Sequence, residues 1–361
     1  MPSCRQLALA LCAGLSLFSH VAAAAEPEVT KPGDAESSVT EPSPAGRLHA
    51  IRFTFANDVF AGADDHFTNG IGLAWAPPTE ETWEQTLMPG FIADLFDNLP
   101  LLGAADRRKR LGFSAAQLMV TPRDIERRDV IRDDLPYSGT ILLRIQAAAW
   151  NEQSFALLQL SAGMVGEVSQ AEQAQTRTHE LIGTRTPRGW DHQLENEPIL
   201  NLDLLLARRL LSFNHRRSGF GLDLDLRVGG GAGNFVIYGS GGGALRLGWG
   251  LLDGFEVTPL ENRAISADFQ DYERSPPWSI YLSSIVEGLV FGRSLLIEGN
   301  TFRDSRHTVD LQYLQAKAAQ SLVMRYEAIA IRLSAIVTTP SFEENDKDFE
   351  RLGAIDVTII F

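Results

Sequence analysis

The chain closes on Glu350-Arg351-Leu352-Gly353-Ala354-Ile355-Asp356-Val357-Thr358-Ile359-Ile360-Phe361, in which Ile355, Val357, Ile359 and Phe361 form one apolar stripe. Alternation with a period of two gives a strand two unlike faces. The same pattern recurs upstream. Phe220, Leu222, Leu224, Leu226 and Val228 alternate with Gly221, Asp223, Asp225 and Arg227, and Ile329, Ile331, Leu333, Ala335 and Val337 alternate with Ala330, Arg332 and Ser334. A strand of a soluble sandwich reads the same way, because alternation does not say which solvent each face meets.

The aromatic carboxy-terminus separates the two options, since it resembles the assembly signal of bacterial outer-membrane barrels. The other end agrees. Residues 1–25 read as a secretory signal, with Arg5 as the positive start, Leu7 to Phe18 as the apolar run and Val21-Ala22-Ala23-Ala24-Ala25 as the cleavage region. Both cysteines, Cys4 and Cys12, fall inside it, so the expected mature chain has no disulfide or thiolate chemistry. Residues 26–47, with Pro27, Pro32, Pro42 and Pro44 among polar residues, read as a disordered leader. The formal charge of -14 becomes -15 when Arg5 leaves with the signal, which argues against a nucleic-acid partner.

Residues 48–361 are then expected to form one antiparallel transmembrane β-barrel, the spanning architecture in which all backbone hydrogen bonds are made between strands. About twelve strands are legible, near 48–59, 67–76, 110–120, 137–150, 154–166, 198–212, 217–229, 241–250, 277–290, 312–325, 327–338 and 350–361. Short helices are expected in the loops. Residues 78–106 carry an amphipathic mix around Trp83, Leu87, Phe91, Ile92, Leu95 and Phe96 that suits packing, and 167–197 begin with a helix ending near Gly183. On that helix Gln175 and His179 stand four apart on one face, where the amide can orient the imidazole.

The polar groups concentrate at the first turn. Phe55-Ala56-Asn57-Asp58-Val59-Phe60 is followed by Asp64-Asp65-His66-Phe67-Thr68-Asn69-Gly70. Hard oxygen donors in such density suit Ca²⁺ better than a transition metal. Asp, Asn and Gly at a strand-to-strand junction are equally the ordinary chemistry of a turn.

Taken together, Asn57-Asp58, Phe67-Thr68-Asn69-Gly70, Gln175 with His179-Glu180-Leu181-Ile182-Gly183, and Gly189-Trp190-Asp191 with Gln193-Leu194 resemble the lipid A 3'-O-deacylases of Gram-negative outer membranes. Gly233-Asn234, Ala244-Leu245-Arg246-Leu247-Gly248-Trp249 and Glu298-Gly299-Asn300 extend the resemblance along the mature chain. It implies a twelve-stranded barrel that hydrolyses the ester of the 3'-linked acyloxyacyl group with Ca²⁺, in a manner similar to secreted phospholipase A2. His179 is then implied to be the general base, with Gln175 beside it. Asn57, Asp58, Thr68 and the Gly70 carbonyl are implied to place Ca²⁺ and to stabilise the oxyanion. Trp190 belongs to the substrate side of the same site. The resemblance implies lipopolysaccharide and the membrane as partners, and a monomer is expected.

The chain departs from the family in two places. Asp134-Leu135-Pro136-Tyr137-Ser138-Gly139 has Leu135 where the family often has arginine, and Arg127 is the nearest basic residue where the characterised deacylase has a lysine. A guanidinium there can contact a lipid A phosphate. Two other readings stand beside the deacylase: an outer-membrane phospholipase, and a non-enzymatic pore or structural barrel. Other features carry less. Gly229-Gly230-Gly231 and Gly241-Gly242-Gly243 read as flanking a strand turn; His49, His192, His215 and His307 as loop or lumen histidines; and Arg107-Arg108-Lys109-Arg110 as either a lipopolysaccharide contact or a solvated periplasmic turn. Trp75, Trp150, Trp249 and Trp278 suit interfacial belts.

Overall fold

The computed structural model describes residues 48–61, 67–183, 185–215, 218–257, 260–261 and 264–361. The expected signal (1–25) and leader (26–47), and Asp64, Asp65 and His66, lie outside the described residues, as does the Thr68 side chain. Fourteen strands run in chain order: β1 (Ala50–Asn57), β2 (Phe67–Ala76), β3 (Arg108–Val120), β4 (Ser138–Trp150), β5 (Ser154–Val165), β6 (Glu197–His215), β7 (Phe220–Gly233), β8 (Val236–Trp249), β9 (Leu260–Glu261), β10 (Ala264–Ile265), β11 (Trp278–Ser294), β12 (Leu314–Tyr326), β13 (Ile329–Thr338) and β14 (Glu350–Ile360). All but β9 and β10 form one closed antiparallel barrel of twelve strands, sealed where β1 meets β14 with Ala50 opposite Ile360 and Phe53 opposite Val357. The helices are α1 (Gly90–Asp97), α2 (Ala171–Ile182) and α3 (Leu295–Glu298).

The twelve expected strands are all present, with one misreading of their ends. The two glycine runs lie inside β7 and β8, and the turn between those strands is Asn234-Phe235. Glycine marked close approach here and not a turn. A Cβ at Gly242 would lie 2.0 Å from the Val286 carbonyl oxygen, beside the inward-facing pair Lys317–Glu287 at 2.6 Å.

The chain ends meet at one rim, where His49 and Phe361 exchange backbone bonds of 2.8 and 3.1 Å. The short connections β4–β5, β6–β7 and β12–β13 share that rim, whereas the long connections β3–β4, β5–β6, β11–β12 and β13–β14 lie at the other. Short turns mark the periplasmic end of such barrels and long loops the extracellular end. Outward positions are apolar, as at Leu73, Ile141, Leu143, Ile145, Leu202, Leu204, Ile280 and Leu333, while inward positions are polar or small. Trp249, Trp278, Tyr326 and Phe361 stand exposed toward the periplasmic rim, and Trp75 stacks on Phe113 there. Trp150 departs from the expected belt. It is buried in the lumen with Phe155 and Phe255.

The lumen is filled from the connection between β8 and β11, whose described residues 251–257 and 264–277 enter from the periplasmic rim. Asp268 pairs with Arg52 of β1, Glu256 with Arg332 of β13 at 2.5 Å, and Asp271 with Arg108 of β3. Gln146 of β4 accepts the Ala267 amide at 2.9 Å, and Tyr281 of β11 donates to Glu256 at 2.8 Å. Gly112 makes room, since a Cβ there would lie 2.6 Å from Ala267 and 3.0 Å from Phe269. Above this plug an apolar cluster containing Leu135, Leu194, Leu295, Leu296, Ile297 and Phe342 closes the extracellular mouth. Each such fully buried aliphatic side chain contributes about 1.5–3 kcal/mol.

Residues 77–107 leave the periplasmic rim and lie against the outer wall. Trp83, Ala93 and Leu102 pack on Leu111, Ala147, Ala149 and Ala156, where the barrel's outer face becomes small. The run Arg107-Arg108-Lys109-Arg110 is therefore neither a lipopolysaccharide contact nor a solvated turn. Lys109 donates to the Glu81 carbonyl at 2.8 Å, and Arg110 to the carbonyls of Pro77 at 2.7 Å and Gln270 at 2.6 Å.

Candidate active site on the outer wall

The first strand delivers two of the candidate residues to the extracellular rim. Ala50, Arg52, Thr54 and Ala56 face the lumen, so Asn57 leaves β1 on the outward side. Ala56 pairs with Gly70, which puts Asn57 and Asn69 on the same outward face of adjacent strands. Opposed Cβ atoms in such pairs lie about 4.5–5.5 Å apart. Asp58 is buried and starts a short 3-10 turn that rests on β14. Asn57 and Asp58 each take part in a polar or electrostatic contact. Thr68 is the extra residue of a bulge between Phe67, opposite Val120, and Asn69, opposite Met119. Gly70 is held in the ladder on both sides, by Ala56 and Leu118.

The helix α2 forms the facing wall. Gln117 and Met119 lie on the outward side of β3, and Gly139 on the outward side of β4. Gln117 donates to the Ser169 carbonyl at 2.6 Å, and Ala171 packs with Met119, Tyr137 and Trp190. Gly139 is required by this contact, since a Cβ would lie 2.1 Å from Ser169 Oγ and 2.3 Å from Ala171 Cβ. The helix therefore sits outside the barrel against β3 and β4, of which β3 pairs with β2. It closes at Gly183 with φ 70°, as the sequence indicates.

The hydrogen bonds on α2 differ from the expected ones. Gln175 Oε1 accepts from Trp190 Nε1 at 2.8 Å, in the same buried layer where Trp190 meets the Tyr137 ring at 4.9 Å between centroids. His179 is oriented instead by the Arg185 carbonyl, 2.5 Å from Nδ1. A carbonyl only accepts, so Nδ1 carries the hydrogen and Nε2 keeps the lone pair a general base needs. Spacing on the helix was right about the shared face and silent about Arg185, which lies beyond the helix end.

The buried polar atoms of this region that have no partner among the described residues include Asn69 Oδ1 and Gln175 Nε2, with Ser138 Oγ and Gln193 Oε1. Unpaired buried groups are costly, and a ligand, ion or water can complete their bonding. Asn69 is the residue that sequence reasoning left out, although it lies inside the quoted motif; its parity with Asn57 was the available signal. Tyr137, also in a quoted motif, donates to the Ile125 carbonyl at 3.0 Å, and burial raises its hydroxyl above the ordinary tyrosine range, so it remains a donor. Arg127 is exposed in the loop 121–137 and lines a small cleft with Tyr137, Gly189 and His192. Leu135, the arginine of the family pattern, is fully buried in the apolar cluster over the mouth.

Among the described residues no group of three or more His, Cys, Asp and Glu forms a preassembled metal site. The donors present are oxygens of amide and carboxylate type, and the orphaned Asn69 Oδ1 fits a hard cation.

The family model for outer membrane protein LpxR matches residues 7–361. The chain belongs to the LpxR family. LpxR-family membership and the closed barrel together make it an integral outer-membrane protein. Among solved structures, LpxR from Salmonella typhimurium matches with a TM-score of 0.68 at 17% identity, covering 86% of this chain and 100% of that one. The beta domain of the Bordetella autotransporter BrkA matches with a TM-score of 0.41 at 6% identity, over 88% of this chain and 98% of its own. No curated protein matches.

Proposed function

We propose that this LpxR-family barrel is a Ca²⁺-dependent esterase that removes the 3'-linked acyloxyacyl group of lipid A. One observation carries the reading. The candidate groups Asn57, Asn69, Gln175 and His179 belong to the extracellular rim of the outer wall, where a lipid of the outer leaflet meets them laterally, while the lumen behind is filled. Among the described residues, the filled lumen also weighs against a pore.

The chemistry assigned to the side chains is hydrolysis without a covalent enzyme intermediate. His179 Nε2 takes a proton from water as the oxygen attacks the ester carbonyl, and the imidazolium returns that proton to the departing 3'-oxygen. The products are a free 3'-hydroxyl and an acyloxyacyl carboxylic acid. Gln175 Nε2, a donor without a partner, is available to the carbonyl oxygen as it becomes an oxyanion, and Trp190 holds the amide still. Ca²⁺ would be held by Asn57, Asp58, Thr68 and the Gly70 carbonyl, with Asn69 as a further oxygen, and when bound supplies positive charge at the developing oxyanion. Arg127 is assigned to a lipid A phosphate.

The test is release of 3'-acyl chains from lipid A by the purified barrel in detergent, read by mass spectrometry with Ca²⁺ and with EGTA. Release that stops in EGTA and returns with Ca²⁺ is expected. Full activity in EGTA contradicts the metal assignment. Hydrolysis of phosphatidylethanolamine but not lipid A would favour the phospholipase reading.

A further inference from the structure

A second lipid-facing site lies at the opposite rim, away from α2. Where residues 77–107 meet the outer wall, they leave a groove of about 480 Å³ lined by Leu101, Arg107, Leu206, Arg208, Leu226 and Val228 among others. Its height follows from register. Arg208 pairs with Ser154, the first residue of β5, so it is level with the periplasmic turn 151–153. Its facing follows from parity. Leu200, Leu202 and Leu204 are exposed on the same side of β6, so Arg208 stands in a lipid-facing row, which resumes past a bulge at Leu211 and Phe213.

Two arginines, Arg107 and Arg208, line the groove, and among the described residues neither is held in an ion pair. Arg107 is buried and donates to Ser154 Oγ at 2.8 Å and to the Leu101 carbonyl at 2.5 Å, and Ser154 is the strand partner of Arg208. Asp106 acts on Arg107 only through its field and accepts from Asn151 Nδ2 at 2.6 Å, and Glu152 stands exposed in the turn. Among the described residues neither arginine makes an ion pair with a carboxylate; those that do include Arg52, Arg108, Arg209 and Arg332. A buried or lipid-facing arginine without a counter-ion is costly. The adjoining surface is apolar, since Leu226 and Val228 are exposed beside Leu206, and Leu87, Phe91, Leu95 and Leu101 of the outer segment are exposed as well.

We propose that this groove binds an anionic phospholipid of the periplasmic leaflet. The phosphate lies against Arg208 and Arg107, and an acyl chain runs along Leu206, Leu226 and Val228 into the apolar band. The exposed face of α1 continues that band, so the bilayer is the occupant that covers it. The volume suits a headgroup with the start of its chains. Cationic side chains at a membrane surface attract anionic lipids, and a guanidinium matches phosphate geometry.

Native mass spectrometry of the full refolded barrel in detergent, titrated with dioleoylphosphatidylglycerol, reads the complex directly. A one-to-one lipid adduct is expected, weakened about fivefold or more in Arg208→Gln and partly retained in Arg208→Lys. Arg107→Gln should weaken it as well, with heat-modifiable gel mobility confirming that each variant is folded. Glycerol 3-phosphate has the phosphate but no chains and should not compete. Equal adducts in wild type and Arg208→Gln overturn the proposal, and so does full competition by glycerol phosphate, which would leave a phosphate site without a lipid. Release of 3'-acyl chains should be unchanged in Arg208→Gln, which keeps this test separate from that of the outer-leaflet site.

Discussion

Inside the barrel, Glu256, Asp268 and Asp271 each meet an arginine supplied by a different strand. On the outer wall at the extracellular rim, Asn69 Oδ1 and Gln175 Nε2 are just as hidden from water and meet nothing among the described residues. Both regions bury polar groups, but in the lumen these three carboxylates face cationic side chains of the fold, whereas at the rim the two amide atoms face no partner among the described residues. On the proposed reading, the partners of the rim groups come from outside the fold. Substitutions that disturb one region should leave the other largely untouched.

The largest effect is expected at His179. Replacing it with alanine removes the proposed base but little packing, so turnover on lipid A should fall by about a hundred- to ten-thousand-fold while the barrel still folds. His192→Ala, whose ring lines the cleft beside Tyr137, should cost far less. Comparable losses in both would erase the distinction between them.

The plug should break the other way. Arg332→Leu strips Glu256 of its 2.5 Å partner and leaves Arg246 at 3.8 Å. Removing one member of a buried pair costs roughly 3–5 kcal/mol. Urea unfolding should report that loss, with turnover per folded molecule unchanged. Replacing Glu256 with leucine as well should recover much of the stability. An Arg332→Leu barrel as stable as wild type would show that the plug is not held by this pair.

The sequence made the barrel legible because every strand has one face toward lipid and one toward the lumen, and the pattern of Phe220 to Val228 records both. It did not make the plug legible. Residues 251–277 have no sustained period, and their partners are remote: Asp268 meets Arg52 across 216 positions. The lumen charges Arg52, Arg246 and Arg332 were the only hint, since inward charges without water need counter-ions. The candidate groups on α2 were legible as a motif, and their bonding was not. The helix period put Gln175 and His179 on one face, but the bonds that orient them go to Trp190 and Arg185, which lie past the helix end.

A smaller effect tests how the site is held. Trp190→Phe keeps the ring against Tyr137 but removes the hydrogen donated to Gln175 Oε1, leaving that oxygen buried and unpaired. A local cost of about 1–3 kcal/mol follows. Activity should drop with little change in urea stability, since the helix α2 is not part of the barrel ladder. Unchanged activity would mean that the Gln175 amide need not be fixed.

The smallest effect concerns pH. Burial pushes the Glu256 and Asp268 carboxyls up, but Arg332 and Arg246 on the first, and Arg52 on the second, hold both below their ordinary values. Carboxyls lowered in the folded state contribute stability that is present at neutral pH and lost as pH falls through the lowered value. Protection of plug amides from hydrogen exchange, relative to those of the barrel strands, should therefore persist from pH 7 to about 5 and fail only below about pH 4. Release of the plug already near pH 6 would contradict this pairing.

The most direct measurement is the mass spectrum of lipid A from cells carrying the wild-type chain, the His179→Ala variant, or neither. With equal amounts of folded barrel in the membrane, the wild-type chain should yield lipid A lighter by the 3'-acyloxyacyl group, and His179→Ala should match cells without the protein. Lipid A with its 3'-acyloxyacyl group intact in all three, or lost equally with wild type and His179→Ala, would contradict the outer-wall esterase.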